Sequence, residues 1–201
     1  MAPAAACAPK VPAAIESYAR AVYAASASGV GVGPHAVRKV GLRRHKKMIL
    51  SETDLCAMVA RDRADGKTIA FANGCFDLLH VGHVRYLKGA AAEADRLIVA
   101  VNDDQSVAAL KGAGRPILPA ADRAELVDSL RGVHYVVVFA DQTVERLLRL
   151  LVPDVHCKGT DYTVETVPER AVVASYGGRT AIVGDPKHHA TRDLLARIAA
   201  E

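Results

Sequence analysis

Five short, largely apolar runs alternate with helical patterns along this 201-residue chain, and they constrain its fold more than any other feature. The runs cover residues 68–72, 96–101, 135–139, 154–158 and 180–183. Strands that are continuously apolar are typical of a parallel sheet covered on both faces. Because crossovers between parallel strands are right-handed, the pattern predicts an α/β fold with a doubly wound parallel sheet. Ligands bind such sheets at the carboxyl ends of strands, so the site is expected after the first, second and fourth runs.

The intervening segments predict helices over about residues 51–65, 82–94, 104–110, 120–131, 142–151, 167–176 and 191–200. Ser51 followed by Asp54 resembles an N-cap with an acidic first turn. Aromatic residues make up only 4% of the chain and Trp is absent. The core must therefore be aliphatic, which favours a layered α/β domain over an aromatic-rich β-sandwich.

Charge divides the chain into two parts. Residues 1–47 hold eight Lys or Arg and one acidic residue, whereas the remainder holds 18 basic and 21 acidic residues. We interpret residues 1–47 as a basic, partly disordered tail with a short helix over 13–26, and residues 48–201 as the domain. A nucleic-acid-binding domain is normally basic itself, so no nucleic-acid partner is expected.

The cysteines and the apolar runs indicate a cytoplasmic protein. Cys7, Cys56, Cys75 and Cys157 are far apart in sequence, so neither a disulfide framework nor a protein metal site is expected. No apolar run approaches the roughly 18 to 20 residues that span a bilayer. The N-terminus lacks the apolar segment of a signal peptide. Neither export nor a membrane partner is therefore expected.

Two glycine patterns resemble phosphate-binding loops but fail on spacing. Gly66, Lys67 and Thr68 look like the end of a P-loop, but Arg61 stands where its first glycine belongs. The glycines at 29, 31 and 33 suggest a dinucleotide fingerprint, yet Pro34 occupies the position of the third glycine. Both patterns are rejected.

The eleven residues after the first strand carry the chemistry, with the sequence Asn-Gly-Cys-Phe-Asp-Leu-Leu-His-Val-Gly-His over 73–83. Gly74 permits a tight backbone at the end of the strand. His80 and His83 flank Gly82 at the predicted start of a helix, where unpaired N–H groups and the helix dipole favour phosphate. The alternative is a pair of surface histidines that only cap the helix. The whole context favours polyphosphate binding.

This segment resembles the H-x-G-H signature of the nucleotidyltransferase superfamily that includes cytidylyltransferases and pantetheine-phosphate adenylyltransferase. A narrower resemblance is to the adenylyltransferase that makes ADP-heptose from D-glycero-β-D-manno-heptose 1-phosphate. The residues that carry it are 71–87, 101–107, 110–112, 114–116, 122–123 and 158–162. The resemblance runs from about Lys47 to the end and implies a Rossmann-like nucleotidyltransferase domain. Some family members have a preceding sugar kinase domain; here only the tail precedes, and no kinase activity is expected.

The chain departs from the family before its last predicted helix. The family shows Ser-Thr-Thr there, whereas residues 189–192 read His-Ala-Thr-Arg. Thr191 keeps one hydroxyl that can cap the helix, and Lys187, His188 and Arg192 add positive charge. The segment is expected to hold phosphate still.

The resemblance implies a direct reaction without a protein nucleophile. An ionised substrate phosphate attacks the α-phosphorus and displaces pyrophosphate, so the protein positions the reactants and stabilises charge. The candidate catalytic residues are the donors His80 and His83 and the cations Lys111 and Arg123. The candidate nucleotide-binding residues are Asn73, Gly74, Cys75, Phe76, Asp77, Gly82, Asp161 and Thr191. The candidate acceptor-binding residues are Asp103, Lys111, Arg115 and Lys158.

The expected partners are a nucleoside triphosphate, taken to be ATP, and a sugar phosphate. Mg²⁺ is expected as the cofactor, carried by the triphosphate rather than by a protein cage, and a homodimer is the candidate assembly. One alternative is a glycerol-3-phosphate or ethanolamine-phosphate cytidylyltransferase, because spacing does not reveal the base. Another is a non-catalytic nucleotide-binding module whose tail binds RNA or an acidic partner; both histidines and Lys111 argue against it.

Overall fold

The computed structural model describes residues 48–185 of the chain. The predicted tail helix over 13–26, the predicted last helix over 191–200 and Thr191 lie outside the described residues. The boundary between tail and domain therefore stays a prediction.

A five-stranded parallel sheet forms the centre of the described part, in the order β3-β2-β1-β4-β5. The strands are β1 (Ile69–Gly74), β2 (Arg96–Asn102), β3 (Tyr135–Phe139), β4 (Val155–Gly159) and β5 (Arg179–Val183). β1 is the central strand. The chain continues outward through β2 to the edge strand β3, and then crosses to the other side of β1 to form β4 and β5. This topology confirms the predicted doubly wound fold. The strand order reverses between β1 and β4, so their carboxyl ends flank the crevice where such folds bind ligands.

In the described part of the chain one α-helix precedes β1 and five lie between the strands, close to where the sequence predicts them. They are α1 (Glu52–Ala64), α2 (Val81–Ala91), α3 (Asp104–Lys111), α4 (Ala120–Asp128), α5 (Glu145–Leu151) and α6 (Arg170–Ser175), and a 3₁₀ turn spans Val164–Thr166. Ser51 caps α1 by accepting the N–H of Asp54 at 3.1 Å, as predicted. The predicted start of α6 at residue 167 is wrong. Val167 is extended because a residue before proline is disfavoured in the helical region.

The helices cover both faces of the sheet with aliphatic side chains. On one face α2 and α4 pack Leu87, Ala90, Ala124 and Val127 against residues such as Val99 and Val101. On the other face α1, α5 and α6 pack Leu55, Leu147, Leu148 and Val172 against residues such as Phe71 and Ile98. Successive residues of a strand point to opposite faces, which explains why a strand covered on both faces, such as β2, is apolar over residues 97–101.

Residues 48–50 extend the sheet beside β3, a pairing that the sequence analysis does not anticipate. Ile49 forms a parallel bridge with Val136, Leu50 donates to the carbonyl of Val136 at 2.8 Å, and Val136 donates to that of Met48 at 3.0 Å. No helix within residues 48–185 is long and apolar enough to cross a membrane.

Candidate functional site

The loop after β1 leads into α2 through two unusual backbone conformations. Phe76 and Leu78 have φ values of 49° and 57°, a left-handed region that costs energy for residues other than glycine. Phe76 is nevertheless buried, because Gly74 leaves space for its ring. A Cβ at Gly74 would lie 3.3 Å from that ring. The sequence predicts a tight backbone at Gly74. The left-handed conformations are instead at Phe76 and Leu78.

Phe76 and Tyr86 fix the start of α2 over the sheet. Their rings stack with centroids 6.5 Å apart. The Tyr86 hydroxyl donates to the carbonyl of Cys157 at 2.8 Å, which ties α2 to β4 across the crevice. Burial is the main cause that raises the pKa of Tyr86 well above its usual range, so the hydroxyl stays a donor.

The two histidines form a stacked pair at the beginning of α2. Their ring centroids lie 3.8 Å apart. The Gly82 N–H donates to His80 Nδ1 at 3.1 Å, and the His80 N–H donates to His83 Nδ1 at 3.3 Å. An imidazole whose Nδ1 accepts a hydrogen bond carries its proton on Nε2. In their neutral forms both rings therefore carry a proton on Nε2, while the Gly82 N–H, predicted to face phosphate, is used in the cap.

His83 is held in its neutral form. The ring packs edge-to-face against Phe76 with centroids 5.4 Å apart. Burial, with further contributions from His80 and Lys111, lowers the pKa of His83 to about 4. At neutral pH this imidazole can donate a hydrogen bond to a phosphate oxygen without carrying a charge.

Asp77 links the loop after β1 to the segment that follows α3. Its buried carboxylate accepts from Arg115 Nε at 2.6 Å and from Arg115 Nη2 at 2.5 Å. It also accepts from the N–H groups of Ile117 and Leu118 at 2.9 and 3.2 Å. Asp77 and Arg115, predicted to contact nucleotide and acceptor, are thus bound to each other.

Arg123 is placed differently from what a phosphate clamp requires. Its side chain is fully buried. Nη1 donates to the carbonyl of Cys75 at 2.5 Å, Nε to that of Leu118 at 2.9 Å, and Nη2 to Asp104 at 2.8 Å. All three nitrogens therefore hold backbone or helix around the loop. The geometry supports a positioning role in place of direct phosphate contact.

Two other predicted acceptor ligands also have partners within the protein. Asp103 is the N-cap of α3 and accepts from Ser106 N–H at 2.7 Å. Lys158 is buried and paired with Glu169 at 3.1 Å, and its Nζ lies 5.5 Å from the centroid of the Tyr162 ring. Lys111, at the end of α3, is exposed and contributes to the low pKa of His83, so its charge lies near the histidine pair.

The remaining predicted residues follow β1 and β4. Asn73 is the penultimate residue of β1 and contacts His156 at 3.2 Å. Cys75 lies 4.0 Å from Asn102 Oδ1, and burial is the main cause that raises the pKa of its thiol. Asp161 is exposed after β4, in the same turn as Tyr162. Thr191 lies outside the described residues.

No motif in the sequence points to Glu169 or His156, both of which are buried among the site residues. Glu169 follows Pro168 in a segment without a chemical motif. His156 lies between the apolar residues Val155 and Cys157 in a buried strand, and this position was the only signal. A buried histidine in such a run has to find a hydrogen-bond partner, and that need was the available clue.

Comparisons with known proteins show which family the sequence resembles. A profile of the cytidylyltransferase-like family matches residues 71–195. The "Bifunctional protein HldE" of Ectopseudomonas mendocina is 45% identical over 150 residues, 75% of this chain and 32% of that protein. Its namesake in Geotalea uraniireducens is 45% identical over 144 residues, 72% of this chain and 29% of that protein. The chain thus spans about a third of the length of these relatives.

A solved structure supports the fold. It is a lipopolysaccharide core biosynthesis protein from Thermoplasma volcanium, with a TM-score of 0.53, 23% identity, and coverage of 61% of this chain and 100% of that one. At this level of identity the likeness is one of architecture alone.

Proposed function

The chain belongs to the cytidylyltransferase-like family, and on this premise we propose that it is a nucleotidyltransferase that transfers a nucleoside monophosphate to a sugar phosphate. The proposed donor is ATP, and the proposed acceptor is D-glycero-β-D-manno-heptose 1-phosphate. The products are then ADP-heptose and pyrophosphate. The narrower choice rests on the resemblance carried by residues 71–87 and 158–162 to heptose 1-phosphate adenylyltransferases.

One observation carries the proposal most directly: two Nε2–H donors side by side at the start of α2, next to the crevice between β1 and β4. Hydrogen bonds from fixed donors to a developing oxyanion stabilise a transition state more than a flexible ground state. Since both Nδ1 atoms are engaged by backbone N–H groups, the rings cannot turn without breaking their own cap. The donors are therefore preorganised.

In the proposed reaction an oxygen of the acceptor phosphate attacks the α-phosphorus in line. The bond between the α-phosphorus and the bridging oxygen breaks, and pyrophosphate leaves with the electron pair. His80 and His83 donate to oxygens of the α- and β-phosphates. Lys111 supplies the nearby positive charge. The acceptor phosphate is already ionised, so no general base is required.

Mg²⁺ would arrive with the triphosphate as part of the substrate. Three carboxylates around the loop already accept hydrogen bonds from the protein, namely Asp77, Asp103 and Asp104. This donor set fits a magnesium ion that is held mainly by phosphate oxygens and water. We also propose a cytoplasmic location, where ATP is available. The homodimer and the lack of a nucleic-acid partner stay predictions.

A substrate panel tests the proposal. The full chain is incubated with ATP, CTP or GTP and with heptose 1-phosphate or glycerol 3-phosphate, and pyrophosphate release is measured. We expect the highest kcat/KM for ATP with heptose 1-phosphate. Preference for CTP with glycerol 3-phosphate would replace this choice by the cytidylyltransferase alternative. Absence of pyrophosphate release from every pair, together with binding of a magnesium triphosphate, would support a non-catalytic module.

A further inference from the structure

A polar contact joins the side chains of the neighbouring strands β1 and β4, where the strand order reverses. His156 of β4 is fully buried, and its Nε2 lies 3.2 Å from Asn73 Oδ1 on β1. The two strands are neighbours in register, with Phe71 opposite His156. Asn73 is two residues beyond Phe71, so its side chain is on the same face and at the carboxyl end, beside the proposed site.

The tautomer of His156 and the orientation of the Asn73 amide follow from the free-energy cost of leaving a buried N–H without an acceptor. Within residues 48–185, His156 Nδ1 is buried and has no hydrogen-bond partner. A buried N–H without an acceptor is rarer than a buried acceptor without a donor. The proton is therefore on Nε2, which donates to Asn73 Oδ1. The amide nitrogen of Asn73, with two N–H groups, is then the half of that side chain that remains for a ligand.

His156 cannot readily change this arrangement by taking up a second proton. Burial, and secondarily the charge of Lys158, lowers the pKa of His156 to about 3. The imidazole thus stays neutral over the whole range in which a nucleotidyltransferase operates. The ring also contacts Phe71, with centroids 6.0 Å apart, which limits its rotation.

We propose that His156 is a positioning residue that holds the Asn73 amide so that its two N–H groups face the phosphates or the acceptor in the crevice. The proposal rests on the proposed function and adds a donor at the carboxyl end of β1. It assigns a functional reason to a buried polar side chain that lies between Val155 and Cys157 in β4. His156 itself touches no substrate and acts only through Asn73.

The test is a double-mutant cycle in the full chain, with His156→Leu, Asn73→Ala and the double variant. A lost hydrogen bond to a charged group lowers kcat/KM for ATP by about 10-fold or more. We expect each single variant to show such a loss and the double variant to lose no more than either. His156→Gln, which retains an amide donor, should recover most of the activity.

Two further variants separate positioning from a structural role. Asn73→Asp keeps an acceptor for His156 but turns a carboxylate oxygen toward the phosphates, so we expect an intact fold and a loss larger than that of Asn73→Ala. Thr180→Val is the matched control: Thr180 is opposite His156 on β5 and has a buried hydroxyl without a partner in the described part of the chain. It should retain wild-type kinetics.

Several outcomes would overturn the inference. They are wild-type kcat/KM in His156→Leu, losses that multiply in the double variant, or normal activity in Asn73→Asp. If the wild type releases no pyrophosphate, the proposed function fails. Calorimetric binding of magnesium-ATP to the same variants then tests the positioning on its own, and equal affinity in all of them would refute it.

Discussion

The Asp77 carboxylate should contribute more to the free energy of unfolding than an exposed ion pair does. The substitution Asp77→Asn measures this contribution. The substitution keeps one oxygen for the N–H groups of Ile117 and Leu118 but turns an amide NH₂ toward the Arg115 guanidinium. Removing one partner of a buried ion pair costs about 3 to 5 kcal/mol. The Arg115 side chain is 19% exposed, so water compensates in part and the lower end, about 3 kcal/mol, applies.

A cost of this size is readily measured by urea denaturation and thermal unfolding of the full chain. For a protein of about this length each kcal/mol lowers Tm by about 2 to 4 °C, so a decrease of about 6 to 12 °C is expected. Glu93→Gln is the control, because it breaks the pair with Arg179 whose side chains are 28% and 57% exposed. Such exposed pairs contribute about 0 to 1 kcal/mol.

The double variant Asp77→Asn/Arg115→Met tests whether the loss of stability comes from the unpaired Arg115 charge. Removing both charges leaves no buried guanidinium without a counterion, so it should be more stable than Asp77→Asn alone. The reasoning would be refuted if Asp77→Asn unfolded at the same urea concentration as Glu93→Gln, or if the Met substitution only added to the loss.

Three other predictions concern the site. His83→Ala should lower kcat by about 10²- to 10³-fold in a chain that still folds and loses only the roughly 1 kcal/mol of a helix cap, whereas normal turnover would exclude the proposed donor. Lys111→Met should lower kcat/KM for ATP by about tenfold without loss of stability, while the exposed Lys67→Met leaves both unchanged; equal kinetics in the two variants would exclude a role for Lys111. The pKa of His83 is lowered to about 4 and that of His156 to about 3, from an ordinary 6.5. The unfolded chain therefore binds protons that the folded chain does not, so stability present above pH 6.5 should be lost as the pH falls toward 4 and then 3. Urea midpoints should decrease less steeply over this range in His156→Leu than in the wild type, and equal slopes would contradict the assignment.

The fold could be predicted from the sequence because the strands are buried on both sides. Runs such as 97–101 and 136–139 are apolar at every position, and that pattern has few explanations other than a covered parallel sheet. Element ends were less predictable, since they depend on local backbone chemistry such as the proline at 168. The bridge at Ile49 was missed because a single pairing leaves no periodic signal.

The site was predictable where its residues are consecutive and unpredictable where they come from distant parts of the chain. The histidines and Gly82 lie within four positions, and a helix start fixes their geometry. Arg115 and Arg123 are predicted to bind the substrates from their charge and from the resemblance over residues 114–116 and 122–123. Their actual partners are Asp77 and Cys75, 38 and 48 positions away, and only the folded chain shows these pairs.

The face-to-face contact of the His80 and His83 rings limits the positive charge that the start of α2 can carry. Two imidazolium rings about 4 Å apart would repel each other by about 4 kcal/mol at an effective dielectric constant near 20, so the pair at 3.8 Å does not become doubly charged. In the proposed reaction a pair with at most one positive charge would hold pyrophosphate less tightly than two cations would. The stacked rings would then act on the phosphates more through directed hydrogen bonds than through net charge.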